Sequence, residues 1–225
     1  MLFLSYHPVV LYRGYVMKTT AVKSEWIPAK ISSSKLIVVL HGRGDSPAGF
    51  RWLPSALEAD DLNYLLLQAP EEYYTGFSWY DLPPNQGPGI LHSRTLLDQV
   101  MSEIKAQGFR TEDTVLFGFS QGCLMILEWA ARTALSFRAF IGISGYVYDA
   151  EALVKEMSPE AKSGKWLVTH GTFDDVLDFK VTESQIQFLQ AQGLPIAFKK
   201  YRKAHTIDER EELPMLRAFI QEVYA

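Results

Sequence analysis

Residues 114–117, Thr-Val-Leu-Phe, form a strongly β-favouring apolar run, and a helix-favouring apolar run opens at Cys123. Only Gly118-Phe119-Ser120-Gln121-Gly122 lies between them. The chain must therefore pass from extended to helical backbone within one sharp turn. A G-x-S-x-G pentapeptide in that setting holds its serine on a strained backbone and pushes the hydroxyl out beyond the sheet. The residues two before and two after the serine then come too close for side chains, and glycine supplies the clearance because it has no Cβ.

The flanking sequence repeats the same alternation. Apolar runs at residues 35–40, 63–68, 114–117, 137–143, 165–169 and 195–201 read as strands. Helical spacing appears at 93–107, with Leu96, Leu97, Val100, Met101 and Ile104, and again at about 121–133 and 179–192. Leu213, Leu216, Ile220 and Val223 mark a last helix, whose start or straightness Pro214 must alter. Residues 42–49 form a Gly-rich loop. Continuous apolar strands alternating with helices predict an α/β fold, with a mostly parallel central sheet covered on both faces. Functional residues then gather in loops beyond the strands' carboxyl ends.

The 225 residues contain no Pro/Gly/Ser-rich linker, internal repeat or charge block, which favours one domain spanning 1–225. Residues 1–34 read as an N-terminal extension or edge strands. The apolar residues 1–11 lack a basic leader and a cleavage site, and the start is left open between Met1 and Met17. A net charge of −4 with interspersed signs argues against a nucleic-acid footprint. No stretch reads as transmembrane, so no integral membrane segment is expected. One cysteine, Cys123, precludes an internal disulfide and fits a reducing, cytoplasmic setting.

A serine hydroxyl at neutral pH is a poor nucleophile without a base, and the base needs an orienting acid. In chain order, His205 is the one histidine following both Ser120 and the candidate acids. The acid is expected in the loop His170-Gly171-Thr172-Phe173-Asp174-Asp175; Asp174 lies nearer the preceding strand than Asp175 and is preferred. Asp178 reads as a first-turn helix acid, and Thr206 with Glu209 as a capping box. Donors for an oxyanion are expected from the backbone N–H of Gln121 and from Arg43, in the loop His41-Gly42-Arg43-Gly44-Asp45. The Arg43 guanidinium reads as a surface charge before a substrate-anion contact. His41 and His170 are expected to be structural. The five histidines show no metal-ligand spacing, so neither metal nor cofactor is expected.

These segments together resemble the phospholipase/carboxylesterase family of α/β-hydrolases, which includes bacterial carboxylesterases and acyl-protein thioesterases. The likeness rests on 40–45, 78–81, 118–122, 170–174 and 204–207, and covers the chain from about Lys35 onward. It implies an α/β-hydrolase fold, a Ser120–His205–Asp174 triad and oxyanion donors at Arg43 and Gln121. Two departures stand out: Asp175 where the family often has proline, and Ala204 where it often has glycine.

The aromatic stretch 73–84 shows neither helical nor strand periodicity. It is read as the wall of an acyl groove built from Trp79, Tyr80 and Leu82 with Phe50 and Leu53, against the simpler reading that Trp79 and Tyr80 pack the loop onto the sheet. Cys123 reads as packing. The expected activity is cleavage of carboxylic esters, thioesters included, through an acyl-enzyme. Lysophospholipids, S-acylated proteins and short acyl esters all stay open as substrates. A non-catalytic receptor or scaffold of the same fold is the rival, and a lactone hydrolase is disfavoured by the serine at the elbow. The oligomeric state is open between monomer and homodimer.

Overall fold

The computed structural model describes residues 16–225; the alternatives raised for residues 1–11 lie outside them. The strands are β1 (Ser24–Ile27), β2 (Leu36–Leu40), β3 (Asn63–Leu67), β4 (Glu71–Tyr73), β5 (Gly76–Ser78), β6 (Thr114–Phe119), β7 (Ala139–Ile143), β8 (Trp166–Gly171) and β9 (Ile196–Tyr201). The helices are α1 (Leu53–Leu57), α2 (Gln86–Ala106), α3 (Gln121–Ala130), α4 (Ala150–Glu156), α5 (Pro159–Ser163), α6 (Phe179–Ala191) and α7 (Glu212–Tyr224).

Seven strands form one sheet in the order β1-β3-β2-β6-β7-β8-β9. Every pairing is parallel except β1 with β3, which is antiparallel. Both faces are buried because β2 alternates its apolar side chains. Leu36, Val38 and Leu40 pack into the layer holding α2, α3 and α6, while Ile37 and Val39 enter the layer under α1 and α7. That two-sided burial of a mostly parallel sheet is what the continuous apolar runs predict, and it fits the α/β-hydrolase fold that the resemblance implies.

Several local expectations need correction. Helix α2 starts at Gln86 rather than 93, with Gly87-Pro88-Gly89 in its first turn. Proline is tolerated there because a first-turn N–H has no helical acceptor to lose. A Cβ on Gly89 would lie 2.8 Å from Tyr80 Cα, so this glycine serves close packing rather than a turn. Helix α3 ends at Ala130, three residues before 133. Within the aromatic stretch, β4 and β5 form a hairpin turning at Tyr74, whose φ is 51°. Pro214 sits in the first turn of α7, which begins at Glu212. The Thr206–Glu209 capping box does not form. Instead the Asp208 carboxylate accepts the Arg210 and Glu211 amides. Asp178 is the N-cap of α6, accepting the amides of Lys180 and Val181.

Candidate active site

The turn between β6 and α3 carries Ser120 at φ 53° and ψ −114°, a conformation that costs a non-glycine residue about 1–3 kcal/mol. The clearance argument holds atom by atom. A Cβ on Gly118 would lie 2.4 Å from the Gly122 carbonyl oxygen, and one on Gly122 would lie 2.0 Å from the Leu40 carbonyl oxygen. The Ser120 amide donates to the Ile143 carbonyl at 2.9 Å, anchoring the turn to the end of β7.

Loops after β8 and β9 bring two more side chains to this point. Ser120 Oγ lies 2.9 Å from His205 Nε2, and His205 Nδ1 lies 2.8 Å from Asp174 Oδ2. That network assigns the proton on neutral imidazole to Nδ1, which donates to Asp174, and leaves Nε2 to accept from the serine hydroxyl. Asp174 Oδ1 accepts the amides of Val176 and Leu177 at 3.0 and 2.8 Å. Burial by itself would raise the Asp174 pKa. The Leu177 amide, His205 and the Val176 amide outweigh it and hold the carboxyl below the ordinary range. Asp175 is exposed. Ala204 does not take a positive φ, so its Cβ costs the histidine loop no left-handed strain.

His41 and His170 are structural in position. His41 Nδ1 lies 2.6 Å from the Gly42 carbonyl and Nε2 accepts the Ala69 amide, bracing the loop after β2. His170 lies beneath Asp174, with Nε2 3.2 Å from the Leu177 carbonyl. Burial lowers both pKa values, which favours the neutral form of each ring.

Among the described residues, neither the Arg43 nor the Gln121 amide has a hydrogen-bond acceptor. The Gln121 side chain has a task that spacing did not suggest. Its Oε1 accepts from Ser78 Oγ at 3.1 Å and from the Trp79 amide at 2.9 Å, and its Nε2 donates to the Tyr80 carbonyl at 2.8 Å. The residue after the serine therefore ties the aromatic loop to the elbow.

The five residues expected in one groove are spread over four places. Phe50 lines a hollow of about 380 Å³ together with Trp52, Phe119, His205, Ile207 and Leu213. Tyr80 and Leu82 line a separate hollow of about 300 Å³ beside Arg43. Leu53 and Trp79 line neither. Leu53 is fully buried in the core layer shared by α1 and α7, and Trp79 is fully buried with Nε1 donating to the His41 carbonyl. Sequence reasoning missed Trp52, Phe119 and Ile207. Phe119 was legible in principle, as the elbow residue preceding the serine.

The fold and site define a class, the serine hydrolases with an α/β-hydrolase core. Within it, the chain belongs to the phospholipase/carboxylesterase family, whose model matches residues 23–224. The match starts at β1, earlier than the Lys35 limit drawn from motifs. The chain is similar to acyl-protein thioesterase 1 of Yarrowia lipolytica, 30% identical over 170 residues, covering 68% of this chain and 75% of that one. It is also similar to the Arabidopsis thaliana carboxylesterase SOBER1, 24% identical over 193 residues, covering 78% of this chain and 85% of that one. Among solved structures, esterase PE8 aligns with a TM-score of 0.75 at 25% identity, over 90% of this chain and 99% of that one. The chain is accordingly a hydrolase of the serine-esterase type.

Proposed function

We propose that Ser120, His205 and Asp174 are the catalytic triad of a cytoplasmic, cofactor-independent esterase formed by one domain. The substrates would be carboxylic esters, thioesters included. The observation that carries this reading is the continuous hydrogen-bond path from Ser120 Oγ through both ring nitrogens of His205 to Asp174.

Ser120 Oγ attacks the acyl carbon while His205 Nε2 takes the hydroxyl proton, and Asp174 steadies the resulting imidazolium through Nδ1–H. The free N–H groups of Arg43 and Gln121 receive the developing oxyanion. Collapse of the tetrahedral intermediate breaks the bond to the leaving oxygen or sulfur, which takes the proton from Nε2. Water then attacks the acyl carbon while His205 takes its proton; the new tetrahedral centre breaks its bond to Ser120 Oγ, which regains the proton from Nε2, and the carboxylic acid leaves. Because the leaving atom must meet Nε2, the hollow containing His205 and walled by Phe50, Phe119 and Ile207 suits the leaving group.

A fluorophosphonate probe tests this directly. Labelling of wild type, lost in Ser120→Ala and strongly slowed in His205→Ala, is the expected result. Folded wild type that resists the probe would overturn the triad and favour a non-catalytic receptor. A series of p-nitrophenyl esters and acyl thioesters of rising chain length then ranks the substrates.

A further inference from the structure

The hollow on the Arg43 side is not explained by the triad. It is walled by Tyr73, Tyr80, Leu82, Pro83 and Asn85, and Arg43 is its cation. The Arg43 guanidinium carbon stands 5.2 Å from the centroid of the Tyr73 ring, while Nη1 is buried without a hydrogen-bond partner. Asp81 also lines the hollow, yet its carboxylate does not accept from Arg43 Nη1. A desolvated guanidinium N–H with no acceptor is costly unless an anion arrives to accept it.

The hollow also sits next to the proposed chemistry. Arg43 contributes both its side chain here and its free amide to the proposed oxyanion hole. Tyr80, another wall, is held by Gln121, the residue that supplies the second free amide. The lining thus includes the residue that carries one proposed donor and a residue hydrogen-bonded to the side chain of the other. The two hollows share no lining residue, and the other one contains His205, which must meet the leaving atom.

We infer that this hollow is a subsite for an anionic group on the acyl part of the substrate, a carboxylate held by the Arg43 guanidinium. The preferred ester would then be a half-ester of a short dicarboxylic acid rather than an ester of a plain fatty acid. A volume of about 300 Å³ suits a short chain ending in a carboxylate, and Tyr73 and Leu82 supply apolar contact for its methylenes. The inference rests on the esterase reading above but fails separately from it.

The test compares mono-p-nitrophenyl glutarate with p-nitrophenyl butyrate, which share a leaving group and differ by a terminal carboxylate. The readout is the ratio of kcat/KM for the two esters in wild type, Arg43→Met and Arg43→Lys. Arg43→Met is expected to lower the glutarate-to-butyrate ratio by about tenfold or more, and Arg43→Lys to retain part of it. The butyryl ester of 4-hydroxybenzoate places the carboxylate on the leaving group instead; its ratio to phenyl butyrate should not depend on Arg43. A glutarate ratio unchanged by Arg43→Met, or an Arg43 dependence that follows the leaving-group carboxylate, overturns the subsite. A second readout does not need turnover: free glutarate should raise the Tm of wild type and not that of Arg43→Met. If wild type hydrolyses neither ester and takes no fluorophosphonate, the esterase reading has failed, and the glutarate Tm shift still decides the subsite.

Discussion

Lys203 Nζ lies 2.7 and 2.6 Å from the two carboxylate oxygens of Glu212, and both side chains are almost fully buried. The pair joins the start of the histidine loop to the first turn of α7. Glu212 also accepts the Asp208 amide at 2.8 Å, and the Lys203 carbonyl accepts the Phe173 amide from the loop carrying Asp174. The ion pair thus fixes the segment that delivers His205 onto α7, and the Lys203 carbonyl ties the same segment to the acid loop.

Removing one partner leaves the other charge buried and unpaired. Glu212→Gln or Lys203→Met should each destabilise the fold by about 3–5 kcal/mol. Urea unfolding measures the loss. In whatever folded fraction remains, kcat should fall more than KM rises, because the defect is in the placement of His205.

The strain at Ser120 gives a second prediction. Alanine keeps the Cβ in an unfavourable φ/ψ region, whereas glycine relieves it. Ser120→Gly should therefore be more stable than Ser120→Ala by about 1–2 kcal/mol, while both lose esterase activity. Thermal melts of the two inactive variants, side by side, check the sign.

Gly122→Ala should be far more damaging than its size suggests. The added Cβ would meet the Leu40 carbonyl at 2.0 Å, a backbone atom in the centre of the sheet that has no rotamer to change. A loss of about 3 kcal/mol or more is expected, seen as a depressed Tm or as insoluble protein. Gly193→Ala is a useful contrast: a Cβ there meets nothing within 4 Å, and only its φ of +93° opposes it.

Gln121→Ala leaves the backbone donor in place and removes the three hydrogen bonds that hold Ser78, Trp79 and Tyr80. Stability should drop by about 1–3 kcal/mol, with a fall in kcat/KM as the aromatic loop loosens. A variant with normal kinetics and a normal Tm would show that the loop holds its place without this strut.

The Asp174 carboxyl has a folded-state pKa below its ordinary value, so it binds fewer protons folded than unfolded at acid pH. Its contribution is fully present above the unfolded pKa and is lost as the pH falls through the lowered folded value. The stability difference between wild type and Asp174→Asn should hold steady from about pH 7 to about pH 5, then shrink toward about pH 3. Urea midpoints across that range measure it; a difference independent of pH would mean the carboxylate is not preferentially ionised in the folded state.

The sequence by itself determined the alternation of strands and helices, because continuous apolar runs and helical spacing are local patterns that burial on two faces requires. It also determined the elbow: glycines two residues either side of Ser120 are what a crowded strand-to-helix turn demands. Chain order pointed to His205 and Asp174, but only the tertiary structure set them in line at 2.9 and 2.8 Å. The substrate walls were the least legible. Leu53 and Phe50 are near neighbours in the chain and share one buried layer, yet only Phe50 also lines the hollow that holds His205. The side-chain role of Gln121 and the pairing of Lys203 with Glu212 were equally hidden. Each depends on which loops meet beyond the strands' ends, and that meeting is decided by the packing of distant elements, which no local period records.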